Sequence, residues 1–158
     1  MEYFTISELI KSDTAIKRRV WNGATREEED NLIALVDNVL DPLRRAWGKP
    51  ITVTSGYRNK DVNKSAGGVT GSQHLVGEAA DLVTKGGAKN IYELGRLIVA
   101  RGAFDQVIFE NVGKNDLLPE WIHVSWKRDG WNRMNILKKV KGEKVYQRVC
   151  RNELKEVL

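Results

Sequence analysis

Apolar residues recur at helical spacing in two long segments of this chain. Over residues 25–48 they return every three or four positions, and residues 25–28 read Thr-x-x-Glu, the capping-box pattern that opens a helix. This segment predicts a long amphipathic helix that Pro42 kinks or splits. The same spacing over residues 91–98 predicts another helix, which Gly102 ends. Shorter helices are predicted at residues 4–10, with Thr5 or Ser7 as the cap, at residues 60–66, and from residue 152 to the end.

Short runs of β-branched or alternating apolar residues predict the strands. They stand at residues 51–54, 79–83, 106–110 and 121–126, and a hairpin around Gly142 follows at residues 136–140 and 144–149. Helices and strands do not alternate in βαβ order, so we predict an α+β fold with a mainly antiparallel sheet flanked by helices. No repeat or linker divides the chain, which predicts one small domain over residues 1–158.

The positive charge of the chain is concentrated towards its C-terminal end. Residues 126–158 hold ten Lys and Arg against four Asp and Glu, and so account for the net charge of +5. A basic surface of this kind attracts anionic polymers, although a solvated basic hairpin would have the same sequence pattern. We expect a monomer without a nucleic-acid partner.

The sequence shows no segment with the features of a membrane helix or a secretory signal. No stretch approaches the roughly 20 apolar residues that a membrane helix needs, and residues 1–13 lack a basic region followed by an apolar one. We therefore expect a chain that is made in the cytoplasm without a signal peptide and does not insert into a membrane. The single Cys150 excludes an internal disulfide.

The two histidines of the chain each have a carboxylate nearby. Asp81 follows His74 by seven positions, and Glu120 precedes His123 by three. A catalytic zinc ion takes three N or O ligands from the protein and leaves a fourth position for water. His74, Asp81 and His123 are such a set if their segments converge. Two scattered histidines are more often structural than metal-binding, and spacing alone does not decide between the two interpretations.

Peptide hydrolysis at zinc also needs a base for the proton of the attacking water, and Glu120 is the candidate. Residues three apart in a strand face opposite sides, so Glu120 has to lie at the start of its strand, after Pro119, and bend towards the metal. Arg58 is the candidate cation, which either stabilises the oxyanion or binds a substrate carboxylate through its planar fork. Ser55 and Ser125 have no further His to activate them, so serine catalysis is excluded.

Three sequence motifs give more information than the spacing of the histidines and carboxylates. They are Ser55-Gly56-Tyr57-Arg58, Ser72-x-His74-x-x-Gly77-x-Ala79-x-Asp81 and Glu120-Trp121-Ile122-His123-Val124-Ser125. In type and order they resemble the D-alanyl-D-alanine carboxypeptidase-like zinc peptidases, a family that shares its fold with the hedgehog signalling domain and includes phage endolysins. The resemblance covers about residues 4–126 and leaves the basic extension, residues 127–158, without a counterpart.

The resemblance implies Zn²⁺ as the cofactor and a set of three ligands: His74, Asp81 and His123. It places the base on Glu120 and carries the family's substrate-orienting or oxyanion-stabilising arginine over to Arg58. Ser72 and Gln73 stand next to the first ligand, and we predict that they contact substrate, with simple solvation as the alternative for Gln73.

The activity that the resemblance implies is hydrolysis of an amide bond in the stem peptide of peptidoglycan. The enzyme would act as a D,D-carboxypeptidase or as an endopeptidase between L-Ala and D-Glu. A chain without a signal peptide or a separate wall-binding domain fits a phage or prophage endolysin released through a membrane lesion, or an enzyme carried by the virion. The alternative is a binding module that keeps the zinc, has lost turnover, and holds the cell wall or an anionic polymer. The presence of Glu120 argues against that alternative.

Overall fold

Six α-helices form in this computed structural model, which describes residues 1–156, and side chains cap four of them. Their bounds are α1 Ile6–Ile10, α2 Asp13–Arg18, α3 Arg26–Leu35, α4 Asp41–Trp47, α5 Lys60–Ser65 and α6 Gly87–Arg101. Thr5 and Thr25 close capping boxes at α1 and α3. The sequence predicted the box at Thr25 and gave Thr5 or Ser7 as the cap of α1. Ser12 and Asn59 cap α2 and α5. Among residues 1–156, no helix is long and apolar enough to cross a lipid bilayer.

The long helix predicted before Gly48 is interrupted where Pro42 stands. A π-helical segment, Val36–Leu40, joins α3 to α4, and Pro42 lies in the first turn of α4. Because proline has no backbone N–H, it cannot donate to the carbonyl four residues earlier, and the wider turn occurs just before it. The predicted break is confirmed, and the apolar side of all three segments stays in the core.

The strands form one six-stranded sheet in the order β1-β2-β4-β3-β5-β6. Their bounds are β1 Ile51–Ser55, β2 Ala79–Thr84, β3 Gln106–Val112, β4 Trp121–Ser125, β5 Asn135–Val140 and β6 Tyr146–Arg148. All neighbours pair antiparallel except β3 and β5, which run parallel. The predicted α+β class with a mainly antiparallel sheet is confirmed.

The two faces of the sheet have different roles. Helix α6 packs against β2, β3 and β4 on one face, and side chains of α3 and α4 join the same hydrophobic core as alternate residues of the central strands. In β3 and β4 these core residues include Phe109 and Ile122, both fully buried. Because side chains alternate along a strand, the residues between them point to the other face. That second face carries polar side chains and the pocket that contains the candidate site.

The basic extension adds β5 and β6 to the edge of the sheet, as the hairpin that the sequence predicted. The sequence did not show that β5 pairs with β3 in parallel. The prediction of a helix from residue 152 to the end is wrong where the structure describes it: a single 3-10 turn, Arg151–Glu153, precedes an irregular segment. Residues 157–158 of that prediction lie outside the described residues.

Candidate metal centre

The three predicted metal ligands come from elements that meet on the open face of the sheet. The register of β2 and β4 places Asp81 directly opposite His123. His74 comes from a short 3-10 turn, Gln73–Val76, which precedes β2. This turn ends at Gly77 with a φ of 74°, a left-handed conformation that glycine adopts without strain. The glycine turns the chain into β2, so His74 and Asp81 reach the same place.

The donor atoms of the three ligands form a nearly equilateral triangle. His74 Nε2 lies 3.2 Å from His123 Nδ1 and 3.3 Å from Asp81 Oδ1, and His123 Nδ1 lies 3.2 Å from Asp81 Oδ1. Tetrahedral zinc with ligand distances of about 2.0 Å separates its donors by about 3.3 Å. The triangle therefore has the size that a zinc ion requires. Three protein ligands also leave the fourth position that a catalytic site needs.

The backbone carbonyl of Gly56 orients the ring of His74. His74 Nδ1 lies 2.6 Å from this oxygen, and because a carbonyl only accepts, Nδ1 carries the proton and donates. In the neutral ring, Nε2 then keeps the lone pair that faces the other two ligands, which is the form that binds a metal. A Cβ at Gly56 would come within 2.1 Å of the carbonyl oxygen of Leu9, so the close approach of these segments requires glycine.

Asp81 is ionised in this environment. Burial opposes its charge, but the imidazole rings of His74 and His123 outweigh burial and lower the pKa of the carboxyl below its ordinary value. A carboxyl group binds a metal in its deprotonated form. The charge state and the geometry of the cluster therefore both suit a divalent cation.

Arg58, three residues after β1, lines the pocket that contains the three ligands. Its side chain is half-buried, and within residues 1–156 its buried Nε has no hydrogen-bond partner. Burial lowers the pKa of the guanidinium, and Asp81 and Tyr146 oppose this shift. An arginine keeps its charge at neutral pH all the same. A cation with an unused N–H in a pocket is suited to bind an anionic group of a ligand.

Ser72 and Gln73 both line the pocket, and both have partners in the protein. Ser72 Oγ accepts a hydrogen bond from the backbone N–H of His74 at 3.3 Å. Gln73 Nε2 donates to Asp105 Oδ2 at 3.0 Å and to Glu78 Oε2 at 3.4 Å. These bonds hold the turn that carries the first ligand. Contact of Ser72 and Gln73 with substrate stays a prediction.

Glu120 lies at the start of β4, as the sequence predicted, but its carboxylate is outside the pocket that contains the cluster. Oε1 accepts a hydrogen bond from Lys141 Nζ, and Oε2 accepts one from Asn111 Nδ2 at 3.2 Å. The pKa of Glu120 is lowered, mainly by the bond from Lys141 and then by that from Asn111. Its role as base therefore stays a prediction.

The pocket contains a glutamate that sequence reasoning missed. Glu110, near the end of β3, lines the pocket together with His123 and is 7% exposed. A signal for it exists in the sequence, because in a strand the residues at 106, 108 and 110 share one face. A carboxylate that ends the apolar run Val107–Phe109 is uncommon in a buried strand, since an ionised group is costly to bury without a partner.

The basic extension builds one wall of the pocket, which has a volume of about 460 Å³. Leu137 and Lys139 of β5 and Tyr146 of β6 line it, and Lys139 Nζ lies 5.3 Å from the centre of the Tyr146 ring. Arg133, in the connection before β5, forms ion-paired hydrogen bonds with the fully buried Asp105. This connection fixes the extension to the rest of the domain.

The family model described as Peptidase M15 matches residues 2–125. Among curated proteins, the zinc D-Ala-D-Ala carboxypeptidase of Streptomyces albus G is 48% identical to this chain over 44 residues, which is 27% of this chain. The matched part is 17% of the length of that relative. The similarity to the relative is therefore local, whereas the match to the family covers most of the chain.

Proposed function

This chain belongs to the peptidase M15 family, and we propose that it uses zinc to hydrolyse an amide bond in the stem peptide of peptidoglycan. The observation that carries the proposal is the triangle of His74 Nε2, Asp81 Oδ1 and His123 Nδ1, whose sides of 3.2–3.3 Å fit a tetrahedral zinc ion. The peptidoglycan substrate is supported by the curated relative, which is named a zinc D-Ala-D-Ala carboxypeptidase.

His74, Asp81 and His123 would hold the zinc ion. When bound, zinc polarises the scissile carbonyl and makes water a better nucleophile. The N–H of His74 Nδ1 stays on the Gly56 carbonyl, which keeps Nε2 available as a ligand. The reaction also needs a group that takes a proton from water, and two glutamates are candidates, Glu120 by its motif and Glu110 by its position.

We propose that Arg58 binds the carboxylate of the substrate next to the bond that is cut. In D-Ala-D-Ala and in the L-Ala to D-Glu linkage alike, the amino acid on the amine side of that bond has a free α-carboxylate. Arg58 has a buried Nε without a partner among residues 1–156 and lies on the pocket with the metal ligands. A charge-assisted, forked hydrogen bond to the carboxylate would orient the substrate. Stabilisation of the oxyanion by Arg58 is the other possibility that the sequence left open.

The test is to incubate purified peptidoglycan and synthetic stem peptides with the zinc-loaded protein and to measure the product masses. We expect a product that disappears when a chelator is added and returns with zinc. Loss of one D-Ala would indicate a D,D-carboxypeptidase, and separation of L-Ala from D-Glu an endopeptidase. If the zinc-loaded protein binds peptidoglycan without any product, the non-catalytic binding module is the correct interpretation.

We also propose that the chain acts on the cell wall as a phage or prophage lysis enzyme or as a virion component. The support is the resemblance of its three motifs to a family that includes endolysins. Expression in the bacterial cytoplasm should leave cells intact until the membrane is made permeable, and then cause lysis. Intact cells after permeabilisation, with active protein inside them, would contradict this role.

A further inference from the structure

Glu110 lies on the open face of the sheet and lines the same pocket as the three metal ligands. The register of β3 and β4 pairs Ile108 with His123 and Glu110 with Trp121. Glu110 is therefore a diagonal neighbour of the metal ligand His123, and the two side chains lie on the same face, where diagonal neighbours are within reach of long side chains. On its other side, β5 places Lys139 opposite Glu110.

A β-bulge follows directly after Glu110. The pairing of β3 with β5 shifts between Glu110 and Val112, and the extra residue, Asn111, has a φ of 55°. A bulge disrupts the ladder locally and redirects a side chain, and bulges are common next to active sites. The bulge lets Glu110 point into the pocket while Val112, two positions on, stays fully buried in the core.

The carboxylate of Glu110 has no structural task that would explain its burial. Only 7% of Glu110 is exposed, and within residues 1–156 its carboxylate accepts no hydrogen bond and forms no close ion pair. Burial raises its pKa, an effect that Asp81 reinforces and that His123 and Lys139 oppose. A buried carboxylate without a partner is costly, so its presence in a pocket calls for a role there.

Glu120 has the opposite surroundings. Its backbone N–H donates to the carbonyl of Glu110 at 2.9 Å, so the strand pairing continues to this residue and directs its side chain away from the face of His123. Its carboxylate accepts hydrogen bonds from Lys141 and Asn111, and 47% of its side chain is exposed. To reach the cluster, Glu120 would have to leave both partners and change face.

We infer that Glu110, and not the glutamate of the motif, is the base of the hydrolysis, an inference that rests on the proposed function. A carboxylate oxygen of Glu110 takes a proton from water as the water oxygen forms its bond to the scissile carbonyl carbon. Glu110 then gives this proton to the amide nitrogen, and the C–N bond breaks to release the amine. Glu110 is unprotonated again as soon as it has given up this proton, the new carboxylic acid loses its own proton to solvent, and the sum of the steps is addition of one water.

The experiment compares Glu110→Gln, Glu110→Asp and Glu120→Gln, with Glu27→Gln as the matched surface control. Each protein is loaded with zinc, its zinc content is measured by mass spectrometry, and kcat and KM are measured with a stem peptide that the wild type cuts. General acid–base catalysis contributes about 10²–10⁴-fold, so Glu110→Gln should lose about that much in kcat. Its KM should stay within about threefold, because the change is isosteric and removes a proton acceptor rather than a binding group.

Zinc content and a conservative variant separate a base from a structural residue. Glu110→Gln should keep one zinc per chain and bind the stem peptide as the wild type does in calorimetry. Glu110→Asp, which keeps a carboxylate at a shorter reach, should recover part of the lost kcat. Glu120→Gln should lose less than about threefold in kcat, since Glu120 contacts Lys141 and Asn111 only at the exposed edge.

Several results would overturn the inference. It is wrong if Glu110→Gln keeps its kcat, if it loses zinc together with activity, or if Glu120→Gln loses as much kcat as Glu110→Gln. The last result would restore the base predicted from the sequence and leave the proposed function intact. A wild type that holds zinc and cuts no stem peptide would overturn the proposed function and the role of Glu110 with it.

Discussion

The two walls of the pocket differ in origin and in chemistry. One wall comes from β2, β4 and the turn before β2, within the residues that match the peptidase family, and holds the three ligands in contact with one another. The other comes from β5 and β6, beyond the matched residues, and presents Lys139 and Tyr146. The first wall suits an ion and the second an anionic ligand. The residues that would hold the metal and the residues that would select the substrate therefore lie in different parts of the chain.

The largest effect is expected from a change in the first wall. His123→Ala should lose its zinc and its activity, because two donors remain of the three that hold the ion. Loss of an outer partner of a ligand already costs about 10–100-fold in metal affinity, so loss of the ligand itself should cost more. Zinc content after dialysis measures this directly. Adding zinc back to chelated wild type should restore activity and should not restore the variant; a variant that holds zinc as the wild type does would exclude His123 as a ligand.

Arg58 stands between the two walls, and Arg58→Lys tests what its planar fork contributes. Hydrogen bonds to charged groups contribute about 1.5–3 kcal/mol, so kcat/KM should fall about 10–100-fold even though the charge is kept. Arg26→Lys is the control, because Arg26 is on α3 with 91% of its side chain exposed.

A substrate with an amidated carboxylate tells the two roles of Arg58 apart. If Arg58 binds the carboxylate, the wild type should cut the amidated peptide about as slowly as Arg58→Lys cuts the normal one, and Arg58→Lys should lose little more. If Arg58→Lys instead lowers kcat/KM for the amidated peptide by the same factor as for the normal peptide, Arg58 acts on the oxyanion.

The attachment between the walls is tested by Arg133→Gln. Asp105 is fully buried and accepts hydrogen bonds from the side chain and backbone N–H of Arg133 and from Gln73. Removing the guanidinium leaves the buried carboxylate of Asp105 with fewer hydrogen-bond partners. Because 44% of the Arg133 side chain is exposed, solvent weakens the ion pair, and we expect the free energy of unfolding to fall by about 1–3 kcal/mol. Urea denaturation measures it, with Arg148→Gln as the control. An unchanged midpoint would show that the contact between Arg133 and Asp105 does not contribute to the attachment.

Local sequence signals predicted much of the part of the chain that matches the peptidase family. The caps at Thr5 and Thr25 and the break near Pro42 follow from short-range chemistry, and the structure confirms them. The family and its zinc ligands followed from the three motifs, and the match to peptidase M15 confirms the family.

The sequence did not show how the second wall is arranged, because that depends on long-range pairing. The parallel register of β5 with β3 places Lys139 opposite Glu110, and a hairpin pattern in the sequence says nothing about which strand its edge joins. The bulge at Asn111 is likewise a property of that pairing. The motif around His123 pointed to Glu120, whereas the position of Glu110 in the pocket follows from the pairing of β3 with its neighbours.

The smallest effect is expected from Lys139→Ala, which removes a positive charge from the second wall. The side chain of Lys139 is partly exposed and lies near Tyr146, so solvent weakens its attraction for a substrate carboxylate. A partly exposed ion pair contributes about 0.5–1 kcal/mol, and kcat/KM should therefore fall about two- to fivefold. Lys138→Ala is the matched control, because alternation along β5 turns Lys138 away from the pocket, towards Leu117 and Asn152.

Salt adds an independent measure of the same contact. Interactions between exposed charges weaken as the Debye length falls from about 10 Å at 0.1 M to about 3 Å at 1 M. The difference in kcat/KM between wild type and Lys139→Ala should therefore shrink at high ionic strength, while that between wild type and Lys138→Ala stays near zero throughout. Equal losses in the two lysine variants would mean that β5 contributes only general positive charge, and the second wall would then have no specific part in choosing the substrate.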